Sequence, residues 1–147
     1  MKRRKFILGD EQMRKDFIID GENFDDIEGF YREIDNLLTK DLDWETGHNL
    51  DAFNDILRGG FGVHEYGEPI KIIWKNFAKS RKDFGYEATV KLYEGFLTVC
   101  HPSNVGLVQQ KLSDAKSRTG ETLMDIIVGI ITATDNTGHD CILKTIK

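Results

Sequence analysis

Two cysteines, no long apolar run and no compact histidine motif exclude several kinds of protein at the outset. Cys100 and Cys141 form neither a disulfide framework nor a close metal pair, so a reduced, cytoplasmic setting is expected. No stretch approaches the roughly 18 consecutive apolar residues of a spanning helix, which argues against a membrane protein. His48, His64, His101 and His139 supply nothing like HExxH. The phosphate-loop pattern GxxxxGK[ST] is missing too. Gly59 to Gly62 offers only Gly-Gly-x-Gly, and it does not follow a strand and open a helix. Helix termination and turns are its expected use. The start, MKRRKFIL, is basic, but GDEQMRKD follows at once, so no signal segment is expected.

What is present describes a packed protein. The chain has 147 residues, 39% of them hydrophobic and 10% aromatic, enough for one core and against disorder. A single domain over 1–147 is expected, with an N-terminal extension at 1–15 and a helical insertion at 85–120. The net charge of −5 conceals an uneven layout. From Gly9 to Glu68 there are 17 acidic and 5 basic residues, a balance of −12. From Pro69 onward 11 basic and 8 acidic residues give +3. The acidic half disfavours a phosphate backbone and favours a cationic partner, or serves solubility alone. Direct nucleic-acid binding is therefore not expected.

The first clear unit is DFIIDGENFDDIEGFYREIDNLL. Phe17 to Ile19 make a short apolar strand that ends at the Asp20-Gly21 turn. Asp25 and Glu28 have capping-box spacing, and Ile27, Phe30, Tyr31, Ile34, Leu37 and Leu38 recur at helical spacing. An acidic loop, KDLDWETG, leads to HNLDAFNDILRGG, where Asn49 caps a helix stopped by Gly59-Gly60. After a glycine-rich loop, PIKIIW reads as a strand and NFAKSRKDF as a short helix that Asn76 can cap. EATVKLYEGFLTVC and GLVQQKLSDAKSR read as a helical pair. TLMDIIVGIITAT is apolar on nearly every side and fits a buried helix or a strand, and CILKTI closes the chain as a strand. Strands separated by helices predict an α/β fold with a small, mainly parallel sheet.

Candidate chemistry concentrates on His48, Asp51 and Asp55. Their spacing suits one side of a helix, and an imidazole with two carboxylates can ligate a divalent ion, although His48 precedes the cap. Acid–base hydrolysis needs carboxylates across a cleft, whereas Asp51 and Asp55 are neighbours on one surface. Cys100 with His101 or His139 makes a weaker case for a nucleophile. Docking uses the geometry better. Leu50, Phe53 and Leu57 hold the helix down, leaving Asp51, Asn54 and Asp55 outward for arginine or lysine of a partner. The competing use is an i,i+3 pair of Asp55 with Arg58. The pattern alone does not choose between them.

The same segments resemble the barstar family of ribonuclease inhibitors. The likeness lies in FIIDGENFDDIEGFYREIDNLL, in GHNLDAFNDIL, in PIKIIWKNFAKS with Trp74 and Phe77 at core positions, and in TGHDCILKTI. The resemblance implies a three-stranded parallel sheet packed with helices and no catalytic activity or cofactor. It further implies that the second helix and its preceding loop enter a nuclease cleft. Asp51 and Asp55 match the family's two key aspartates, and Gly47 and Asn49 match its glycine and asparagine. Glu45 and Thr46 match loop positions where the best-known member has tyrosines, and His48 replaces a glutamate. Asn54 stands in place of an interfacial tryptophan, and the family's glutamate on the last helix falls near Ala133. The expected partner-binding set is therefore Asp43, Glu45, Thr46, Gly47, His48, Asp51, Asn54 and Asp55. A basic ribonuclease or other nuclease toxin is the expected partner. The alternatives are a protein-binding module with a different partner and a metal-dependent protein using His48, Asp51 and Asp55.

Overall fold

Parallel strands need long crossovers, and the helices between the apolar strand segments supply them. The computed structural model describes residues 13–39, 47–60, 63–133 and 139–147. The KFIL segment and the loop residues Asp43, Glu45 and Thr46 lie outside the described residues. Strand β1 is Lys15–Asp20, β2 is Ile70–Lys75 and β3 is Cys141–Thr145, in the order β1-β2-β3 with both pairings parallel. The register sets Ile19 beside Trp74, and Ile72 beside Leu143. Along β2, Ile70, Ile72 and Trp74 are buried, while Lys71, Ile73 and Lys75 between them are more accessible. The period of two thus directs one face of the sheet to the core.

Helix α1, Ile27–Leu38, follows β1 and buries Phe30, Tyr31, Ile34 and Leu38 at the expected spacing. Its cap differs from the expected one. Asp26, not Asp25, accepts from the Gly29 amide at 2.8 Å. Asp25 instead accepts from the Lys79 ammonium at 2.8 Å, which ties the helix entrance to α3, Phe77–Asp83. Asn76 at the start of α3 likewise does not cap through its side chain. It takes a left-handed conformation, and its amide donates to Asp20 Oδ1 at 2.8 Å.

The segment from 85 to 120 contains α4, Tyr86–Val99, and α5, Val105–Lys116, packed against each other as a helical pair. TLMDIIVGIITAT resolves as a helix, α6, Leu123–Thr132. A reciprocal capping box between Thr122 and Asp125 opens it. Leu123, Met124, Ile127 and Ile131 are its buried residues.

The core is aromatic at its centre. Trp74 is fully buried, stacks on Phe30 at 5.5 Å and meets Phe77 edge-on at 5.6 Å. Its indole N–H donates to Ser80 Oγ at 3.0 Å, so the burial of a polar atom carries no unmet donor. The family-like strand, turn and helix pattern therefore corresponds to a three-stranded parallel sheet packed with helices, extended by the α4–α5 pair.

Candidate functional site

Helix α2, Leu50–Arg58, carries the paired aspartates. Asn49 caps it by accepting from the Ala52 amide at 2.7 Å, which fixes where the helix begins. Phe53, Ile56 and Leu57 are buried, and the helix packs against α1 and α6. Phe53 reaches Phe30 of α1 edge-to-face at 5.2 Å. The helix ends at Gly59, whose φ of +90° lies in the left-handed region. A Cβ there would sit 2.2 Å from the Glu65 carbonyl oxygen, so only glycine fits this stop. His64, itself buried, closes the same end with its Nε2 3.2 Å from the Leu57 carbonyl.

This anchoring leaves Asp51 and Asp55 exposed on one side. Asp55 is also the partner of Arg58 on the same helix, and its side chain stays 59% accessible. The pairing and the exposure coexist: an exposed pair of this kind contributes about 0.2–1 kcal/mol, little enough for a competing cation to displace. Asn54 is half-buried rather than outward. Its carbonyl oxygen lies 3.1 Å from His139 Nε2, which joins α2 to the approach to β3, two residues before that strand. A groove of about 350 Å³ runs between α2 and α6, lined by Leu50, Asp51, Asn54, Ile126 and Ile130 among others. Ala133, at the end of α6, lines it as well.

His48 is held between two carboxylates of α1. Its Nδ1 is 2.9 Å from Glu28 Oε1 and its Nε2 is 2.9 Å from Asp35 Oδ2. Two carboxylate acceptors require both ring nitrogens to donate, which favours imidazolium. The hydrogen bonds to Glu28 and Asp35 raise its pKa above the ordinary 6.5. Tyr31 packs on the imidazole, its ring centroid 5.5 Å away. Burial raises the phenol's pKa, and the charges of Glu28 and Asp51 add to the effect. Glu28 and Asp35 thus belong to the site's framework. Their spacing of two helical turns put them on one face. Only the fold brings His48 between them.

A pH dependence follows. The His48 contribution to stability is fully present below its unfolded pKa and fades as pH rises through the raised folded value. His139 acts in the opposite sense: burial, followed by the Arg58 charge, lowers its pKa, so stability is lost as pH falls below 6.5. Thermal melts of the wild type should peak near neutral pH, and His48→Gln should flatten the alkaline side alone. An unchanged alkaline slope in that variant would show that the imidazolium bridge does not contribute.

Among the described residues no group of three or more His, Cys, Asp or Glu side chains is placed to hold a metal ion. His48, Asp51 and Asp55 therefore do not converge as the metal alternative requires. Cys141 is buried and Cys100 half-buried, and burial pushes the Cys141 thiol up to about 12, far from a reactive thiolate. Among the described residues no helix is long and apolar enough to cross a membrane.

Helix α2 and its anchorage on α1 lie within a segment with a known pattern. The family model described as Barstar (barnase inhibitor) matches residues 14–102. The chain belongs to the Barstar family. The match runs from the start of β1 through α4, so it includes the whole of α2 with Asp51 and Asp55. Barstar proteins are inhibitors of ribonuclease rather than enzymes. A comparison with curated proteins returns no match.

Proposed function

We propose that this Barstar-family protein inhibits a basic nuclease by seating α2 and the preceding loop in its active cleft. The observation that carries the reading is the exposure of Asp51 and Asp55 on a helix within the matched segment, with Phe53 and Leu57 rooted in the core. Carboxylates held on a rigid helix offer bidentate acceptors to arginine and lysine in the positions that substrate phosphates would fill. Asp43, Glu45 and Thr46 contribute from the loop side, the acids by steering. Gly47 shapes the approach, and His48 fixes its end onto α1. Asn54 contributes by setting the floor of the groove beside Asp51. The same acidic face repels a nucleic-acid backbone, and the protein acts in the cytoplasm of the cell it protects.

Copurification from the native cell, followed by partner identification and a nuclease assay, tests this. The expected result is a basic nuclease whose activity falls stoichiometrically with added inhibitor. Its association rate should drop steeply between low and physiological salt, because exposed charges are screened over about 8–10 Å. A captured partner that does not cleave nucleic acid would replace this reading with a second one: the same acidic face serving a basic protein of another kind. The Asn54–His139 bond favours keeping that second reading, because it spends on the fold a side chain otherwise available to the family's usual target.

A further inference from the structure

A cavity of about 780 Å³ lies away from α2, where the entrance of α1, the end of α3 and the starts of α4 and α6 meet. Neither Asp51, Asn54 nor Asp55 lines it. Its size suits a small molecule. Ile27, Leu92 and Leu123 give it an apolar portion, and Lys82, Lys91 and Arg118 bring positive charge to its walls.

The acids beside these cations are mostly committed elsewhere. Asp25 and Asp83 both accept from the Lys79 ammonium, at 2.8 and 2.7 Å. Asp26 caps α1. Glu87 is the remaining acid on the wall. Lys82, Lys91 and Arg118 take part in no ion pair among the described residues. All three are exposed, so each is open to an anionic ligand arriving from solvent. Helix α4 also starts at Gly85 without a side-chain cap, which adds the positive end of a helix to the same cavity.

Arg118 strengthens the case independently. The Arg118 amide donates to the Ala115 carbonyl at 3.0 Å and the Thr119 amide to the Asp114 carbonyl at 2.9 Å. With φ of +61° at Arg118, this is the left-handed helix stop that glycine normally provides. An arginine in that conformation is strained relative to glycine. The chain therefore keeps a long cation at the cavity wall against its backbone preference. A guanidinium there has the fork geometry for two phosphate oxygens.

We infer that this cavity binds a small organic phosphate, its phosphate held by Lys82, Lys91 and Arg118 and its apolar part lying on Ile27, Leu92 and Leu123. The site is separate from the inhibitory face and stands whether or not the nuclease reading holds.

Titrating the full chain with phenyl phosphate, followed by amide NMR shifts, tests it, with phenol and inorganic phosphate as comparison probes. Saturable shifts are expected around Lys82, Lys91 and Arg118, with phenyl phosphate tighter than either comparison probe. Lys91→Gln and Arg118→Gly should each weaken binding about tenfold, as expected for one lost charge-assisted hydrogen bond. Arg118→Gly should at the same time raise Tm by about 2–4 °C through relief of the left-handed strain. A variant that is more stable yet binds less separates ligand recognition from folding. The inference is overturned if phenyl phosphate gives no saturable shifts, if the shifts fall outside this cavity, or if both variants bind like the wild type.

Discussion

Replacing Asp51 and Asp55 together by alanine will leave the fold standing and remove most of the affinity for the protein's partner. Truncating one member of a buried, hydrogen-bonded charge pair at an interface costs about 2–5 kcal/mol, so a double loss of at least about 100-fold is expected. Much of that penalty is the cation left stranded in the partner, and the two losses will not add exactly as singles. Stability should barely move. Asp55 gives up only a surface pair with Arg58, and Asp51 gives up a favourable first-turn charge of about 0.3–1 kcal/mol. The comparison that makes the result decisive is Glu94→Ala with Asp114→Ala on the α4–α5 pair. That variant removes the same net charge away from α2, and should slow association without changing dissociation. Equal losses in the two variants would reduce the role of Asp51 and Asp55 to bulk charge. Unchanged binding of the Asp51/Asp55 variant would remove α2 from the interface.

Phe53→Ala should be the most damaging single change to the site, and it acts from inside the protein. Phe53 is buried to 1% exposure and meets Phe30 edge-to-face at 5.2 Å, while Phe30 stacks in turn on Trp74. Removing a buried phenylalanine ring costs about 3–5 kcal/mol, from lost transfer free energy and the cavity left behind. For a protein whose total stability is about 5–15 kcal/mol, that approaches a loss of the native state at 37 °C. Urea unfolding should show a large drop in midpoint at nearly constant slope, and Phe53→Leu should recover much of it. Partner binding by the variant should fall in step with the folded fraction. A midpoint close to the wild type would mean that α2 is anchored chiefly by Ile56 and Leu57.

The position of α2 was legible because its determinants are local. Asn49, the apolar run of Leu50, Phe53 and Leu57, and the Gly59-Gly60 stop all act within a few residues of one another. Their spacing alone puts Asp51 and Asp55 on the outside. Segments without a face were harder to read. TLMDIIVGIITAT has apolar residues all round, so its period could not separate helix from strand. The capping box of Thr122 with Asp125, just ahead of the ambiguous run, was the available cue. In the acidic run FDDIE, Phe24 to Glu28, neighbouring aspartates compete for one cap. Asp26 takes the cap, and Asp25 pairs with Lys79 of α3 instead.

Where a segment has one apolar face, sequence periodicity was therefore enough to set the element, its buried side and, on α2, the outward direction of the two aspartates, since these follow from 3.6- and 2-residue repeats. The partners of the long polar side chains depended on folding. His48 read as a candidate ligand or contact and proved to bridge Glu28 and Asp35. Asn54 read as outward and proved to be bonded to His139, 85 positions along the chain. Arg118 gains its setting only where the ends of α1, α3, α4 and α6 meet around it. Hydrogen bonds form within about 3 Å between groups whose sequence separation is arbitrary, so no local repeat encodes them.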